Sequence, residues 1–215
     1  MLALAPAALS LPLLCAGAPI RAAAAIPQNL RFRTMYHDAQ VGSHRITFRS
    51  DGDRLTVATH IDITIKVLFF TAFRYLHDAV EVWQFGRLLS VVSTTEDNGL
   101  RLKVSGYATN DGFRIIGADG PYLAPAHLLT SNSLWNPRLM REGRVIDVQH
   151  GGEIGLVVKP FGEEIVETPQ GPVLARRYQI ITPNNAGSLF FDADGRWVKG
   201  LMEQRGEHLE YVLES

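Results

Sequence analysis

The stretch THIDITIKV, Thr59 to Val67, places Ile61, Ile63, Ile65 and Val67 at every second position, with His60, Asp62, Thr64 and Lys66 between them. Successive side chains of a strand point to opposite faces, so a period of two reads as a strand with one apolar and one polar face. The same period runs through most of the chain from Leu30 onward. It is broken by Asp51-Gly52, Asn98-Gly99, Asp111-Gly112, Asp119-Gly120, Gly151-Gly152, Gln170-Gly171 and Asp194-Gly195. Asn-Gly and Asp-Gly accept the positive φ of tight hairpins.

Two of these turns fix a register. With Asn98-Gly99 as a two-residue loop, Glu96 falls opposite Arg101, Thr94 opposite Lys103 and Ser93 opposite Val104, which leaves a charged face and an apolar one. With Asp194-Gly195 as the loop, Phe191 falls opposite Val198. These signals predict about ten to twelve strands, with no alternation of strand and helix. So many antiparallel strands must curl or close to bury one face. The expected fold is all-β: a strongly curved antiparallel meander or open barrel with one or two short helices plugging it. A two-sheet sandwich is the alternative.

The plug is expected where the period of two stops, between Tyr122 and Met140, in YLAPAHLLTSNSLWNPRLM. Asn136 suits a helix N-cap and Pro137 the first helical position, so Arg138, Leu139 and Met140 should form a short turn. A second helical turn is expected around Ala124 to Leu129. Leu134, Trp135 and Met140 would then enter the open side of the sheet, where they fill the core or line a cavity.

Hydrophobic residues make up 46% of the 215 and the formal net charge is −1, with no run of like charge. A nucleic-acid partner is not expected from this balance. Leu2 to Ala18 is apolar and precedes the alanine run Ala22 to Ala25. Residues 1–25 read as a signal peptide, cleaved or retained as an anchor, and 26–215 as a single β domain in the periplasm or outside the cell of a bacterium. Cys15 lacks the small preceding residue of a lipoprotein site. As the only cysteine, it leaves the exported chain with no disulfide or thiolate chemistry.

A second apolar anomaly sits in KVLFFTAFRY, Lys66 to Tyr75, where Leu68, Phe69 and Phe70 occupy a hairpin tip. They are candidates for a ligand-binding lip or a transient membrane contact. The following strand, FRYLHDAVEVWQF, sets Phe73, Tyr75, His77, Glu81, Trp83 and Phe85 on one face. If Leu68 pairs with Thr71, Asp62 lies opposite His77 and Thr64 opposite Tyr75, with His60 near Glu81. That register gathers titratable groups against aromatic walls, an arrangement suited to proton transfer or to anchoring the polar end of an apolar ligand. A slip of one residue dissolves it.

No GxSxG, HExxH, P-loop or dinucleotide fingerprint occurs, and the histidine spacing matches no metal-ligand motif. Neither metal nor cofactor is expected.

The order F-R-Y-x-H at Phe73 to His77, E-x-W at Glu81 to Trp83, the T-x-D-N-G turn at Thr95 to Gly99 and W-N-P at Trp135 to Pro137 resembles a bacterial exported family known only as a domain of unknown function. The resemblance spans Phe32 to Leu213 and implies no activity. The long meander with an apolar plug is also loosely similar to periplasmic half-barrel lipid carriers, an analogy of fold alone.

The first expectation is therefore a β-cup that binds a hydrophobic small molecule, a lipid or isoprenoid. Leu68, Phe69, Phe70, Tyr75, Trp83, Leu134, Trp135 and Met140 would form its lining, and Asp62 and His77 would anchor the polar end. The alternative is a small envelope hydrolase or isomerase drawing on His60, Asp62, His77 and Glu81, with His77 paired to Glu81 or Asp62. A third is a scaffold that docks an envelope protein through a strand edge or the 68–70 tip.

Overall fold

The structure, a computed structural model, describes residues 27–67, 70–204 and 207–214. Residues 1–25, expected to be a signal peptide, and the expected lining residues Leu68 and Phe69 lie outside the described residues, and Phe70 is described only as the first residue of its strand.

Thirteen strands form one antiparallel sheet that does not close. They are β1 (Leu30–Tyr36), β2 (Ala39–Asp51), β3 (Arg54–Val67), β4 (Phe70–Gln84), β5 (Arg87–Asp97), β6 (Leu100–Ala108), β7 (Phe113–Gly117), β8 (Gly120–Ala124), β11 (Val157–Thr168), β12 (Gly171–Ile181), β13 (Asn185–Phe191), β14 (Trp197–Gln204) and β15 (Glu207–Leu213). A separate pair joins β9 (Arg144–Ile146) to β10 (Glu153–Gly155). The sheet order runs β11 to β15, then β1 to β8. Neighbours in the sheet are thus neighbours in sequence except at one seam, where β15 pairs with β1. Two edges remain, β8 and β11, and residues 125–156 carry the chain from one to the other.

That crossing segment is the plug. Leu128, Leu129, Leu139, Val145, Ile146 and Val148 within it are buried and share one core with Phe32, Ile46, Val57, Trp83, Val91, Phe113 and Trp197 of the sheet. A parallel bridge from Thr130 to Ile146 ties its two halves together. At the far end of the long strands, Ile63, Ile65 and Leu209 make a smaller cluster of their own.

The WNP reading holds in detail. The Asn136 side chain accepts from the Arg138 N–H at 3.0 Å, and Pro137 opens a short 3-10 turn over Pro137–Arg141. A second turn, Ser133–Trp135, precedes it. The helical turn expected at 124–129 is instead the end of β8 followed by a tight turn closed from Leu128 N–H to the Pro125 carbonyl.

The Asn98-Gly99 register is observed as expected, with Glu96 opposite Arg101 and Thr94 opposite Lys103. Both turn residues have positive φ, 49° and 87°, the combination a twisted two-residue hairpin needs. The Asp194-Gly195 register is corrected: an irregularity at Phe190/Phe191 sets Phe191 opposite Trp197.

Leu129 is wholly buried in the crossing segment. Leu129→Ala is expected to cost about 2–5 kcal/mol, as core leucine truncations do. Leu174→Ala, at an exposed leucine of the β11–β12 hairpin, should stay within about 0.5 kcal/mol. Urea unfolding of both variants checks this.

Candidate functional site

The polar residues of β3 and β4 divide between the two faces of the sheet. The hairpin pairs Val67 with Phe70 and Lys66 with Thr71, and a bulge between Ile65 and Lys66 then sets Ile65 opposite Phe73. The result is a register one residue away from the expected one. Ile61 faces His77, Asp62 faces Leu76 and His60 faces Asp78. His60, Asp62, His77 and Glu81 therefore do not converge. His77 and Glu81 are buried on the inner face, 1% exposed each, while His60 and Asp62 lie on the outer one.

On the inner face, β4 meets the crossing segment through a chain of hydrogen bonds. Glu81 accepts from Thr130 Oγ1 at 2.6 Å and from the indole N–H of Trp83 at 2.9 Å. Because the Thr130 hydroxyl is donated to Glu81, Ser133 donates to Thr130, Oγ to Oγ1 at 2.9 Å. His77 Nε2 accepts from the Asn132 amide at 2.9 Å, so Nδ1 carries the proton and donates to Thr95 Oγ1 at 2.8 Å. Tyr75 donates to Gln149 at 3.1 Å, and Ser93 donates to the Val148 carbonyl. The stretch TSNS, polar and wedged among leucines, is thus the latch that fastens the plug to the sheet.

Burial shifts the charges of this latch. Among the described residues no cation stands beside Glu81, and desolvation pushes its carboxyl up to about 7 against the two hydrogen bonds that favour the anion. Desolvation also holds His77 down at about 4 and His44 down at about 3. His44 sits among Phe32, Trp197 and Tyr211, with ring centroids 6.2, 5.4 and 5.6 Å away.

The expected lining residues pack into this same interior. Trp83 is buried, and Trp135 stands edge-on to it at 6.1 Å and to Phe48 at 5.2 Å. Leu134 and Met140 are half-buried against the same core. Phe85 is in the β4–β5 turn and 67% exposed, away from the face to which periodicity assigned it.

The outer face holds a groove of about 420 Å³ across β2 to β5. It is built from two cross-strand rows. Arg45, His60, Asp78 and Thr94 make the first, and Thr47, Ala58, Val80 and Val92 the second, each residue directly opposite the next. A twisted sheet is saddle-shaped, so its outer face is hollow along one diagonal.

His60 Nδ1 meets Asp78 Oδ1 at 2.7 Å. Arg45 is exposed and has no hydrogen-bond or ion-pair partner among the described residues. Val80 and Val92 are 47% and 60% exposed. Further along the strands, Arg74 binds both Asp62 and Thr64 and closes off the polar end of the hairpin. The expected register set His60 and Asp62 on the face of His77 and Glu81, so their row with Asp78 and Arg74 follows only from the observed pairing. The groove itself leaves no signal in the sequence, because its depth comes from twist.

Glu81→Gln tests the latch. A carboxyl whose folded value is raised stabilises the fold below its ordinary value, near 4.5, and that contribution disappears as pH climbs through 7. The histidines work the other way, since a lowered folded value costs stability as pH falls below 6.5. The variant should therefore gain on the parent between pH 5 and pH 8, by up to about 3 kcal/mol. Paired urea titrations at the two pH values read the difference, and a constant difference would mean that Glu81 titrates as it does in water.

A crystal structure of a β-barrel-like protein of the domain of unknown function DUF1849 from Brucella abortus matches 87% of this chain and 95% of its own, with a TM-score of 0.59 at 6% identity. At that identity the likeness is one of fold. No curated protein matches the chain. Residues 32–214 match the domain of unknown function DUF6134, across the β4 motif, the Asn98-Gly99 turn and the WNP plug alike, and the chain belongs to that family.

Proposed function

We propose that this is an exported binding protein for a small molecule with an apolar body, and that the molecule lies in the outer groove across β2 to β5. The export half of the reading rests on the apolar N-terminus and its alanine run. The observation that carries the binding half is the groove itself. Its volume, about 420 Å³, falls in the roughly 300–1,000 Å³ range of small-molecule sites. Its walls pair exposed apolar side chains, Val80 and Val92, with a few fixed polar groups along one side.

The inner face suits a ligand less well. Trp83, Trp135, Leu139 and Ile146 fill it, and the polar atoms of Glu81 and His77 are taken up by Thr130, Trp83, Asn132 and Thr95. The enzymatic alternative loses its motivation for the same reason. A general base must reach its substrate, and His77 and Glu81 are enclosed by the plug.

Ala58 lies on the floor of the groove and points away from the core. Ala58→Phe should fill the site without disturbing the interior. Titration with N-phenyl-1-naphthylamine, an uncharged fluorescent probe of apolar sites, is expected to show one saturable site in the parent and at least tenfold weaker binding in the variant. Equal binding by the two would place any apolar site elsewhere and reject the proposal.

A further inference from the structure

The geometry points to an occupant with a carboxylate head held by Arg45 at the β2 side, its alkyl tail lying across the strands over Ala58, Val80 and Val92. This inference rests on the outer groove being the binding site and adds the chemical class of the ligand.

Three observations carry it. The first is the unpartnered guanidinium. The arginines on the outer face of β1 and β4 are engaged, Arg31 and Arg33 with Glu214 and Arg74 with Asp62, while on β2 Arg45 and Arg49 are both free of partners among the described residues and Arg45 alone of the two lines the groove. Arg45 has no partner among the described residues, although it borders an apolar surface. A planar guanidinium holds a carboxylate through two parallel N–H···O bonds, which fixes orientation as well as affinity.

The second is the order of charges along the row. His60 separates Arg45 from Asp78 and takes the Asp78 carboxylate at 2.7 Å. The cation is thus left at the β2 end of the groove and the anion held at the β4 side. One guanidinium with a carboxylate two strands away suits a singly charged head. Arg45 is the one Lys or Arg among the lining residues, so a doubly charged phosphate would meet Asp78 with a single guanidinium to offset it, Lys103 lying a strand beyond Thr94 on β6.

The third is the direction of the apolar row. Opposite Val92 comes Ser105, and opposite Ser105 comes Ile116, which is 42% exposed. The strip from β2 to β7 crosses five inter-strand steps of about 4.8 Å, or about 24 Å. That length fits an extended alkyl chain laid perpendicular to the strands better than a compact acid.

Binding of dodecanoate and of dodecan-1-ol, measured by calorimetry on the parent, Arg45→Gln and Ala58→Phe, tests this. Arg45 is exposed and unpartnered, so the glutamine variant keeps the fold. The parent should bind dodecanoate about tenfold or more tighter than the alcohol, the worth of a charged hydrogen-bonded pair. Arg45→Gln should erase that preference and leave alcohol binding unchanged, while Ala58→Phe weakens both. If the two ligands bind alike and Arg45→Gln alters neither, the carboxylate head is wrong and the groove stands. If neither ligand binds the parent, or if Ala58→Phe changes nothing, the groove and its acidic ligand fall together.

Discussion

The hydrogen bond from Thr130 to Glu81, with its neighbour from Asn132 to His77, holds the architecture together. A sheet of thirteen strands left open has two free edges, and the chain must pass from one to the other. Here it passes through the interior along residues 125–156 and supplies seven buried aliphatic side chains to the common core. Apolar burial alone would leave that segment free to slide. The polar contacts fix its register, because a buried carboxylate or imidazole deprived of its partner is costly. The charge on Glu81 has a cost too, since no cation among the described residues offsets it. We read it as specificity obtained at the expense of stability, the role best attested for isolated buried polar groups.

A filled interior leaves the groove on the other face of the sheet. With Trp83, Trp135 and the leucines in the hollow of the sheet, an accessible concave surface lies on the opposite face, where twist depresses the rows from Arg45 to Thr94 and from Thr47 to Val92. Alternation along each strand keeps the two faces chemically independent. On β4, Ala79 and Glu81 belong to the core while Asp78 and Val80 belong to the groove. The side chains of the outer face can therefore vary without repacking the inside, and the inner face can hold its latch whatever the outer face presents.

Much of this was legible before the structure. The alternation in THIDITIKV, the Asn98-Gly99 register and the Asn136-Pro137 cap each rest on local stereochemistry, and each appears as expected. What was not legible depends on non-local geometry. One bulge at Ile65/Lys66 moves the β3–β4 register by a residue and sends His60 and Asp62 to the outside, and nothing in KVLFFTAFRY announces it. The expected His/carboxylate cluster dissolved for that reason. Phe191 missed its expected partner through a similar irregularity. The short strand β8, GPYLA, carries Pro121 and almost no alternation, so it read as part of the loop. Glu81 gave no sign of burial, because its partner Thr130 lies 49 positions away.

Amide hydrogen exchange tests the central claim most directly: the crossing segment is part of the core and does not act as a lid. The amides to follow are Ser131, bonded to the Ile146 carbonyl, and Ile146, bonded to the Leu129 carbonyl, both at 2.8 Å, against those of Ala79 and Val91 in the central strands. If the latch holds the plug as a structural element, all four exchange only through global unfolding, with the same opening free energy and the same urea dependence. Exchange at Ser131 and Ile146 through an opening far less costly than that of Ala79 and Val91, and insensitive to urea, would contradict it. Such a result would show a plug that leaves the sheet and a hollow interior accessible to ligand.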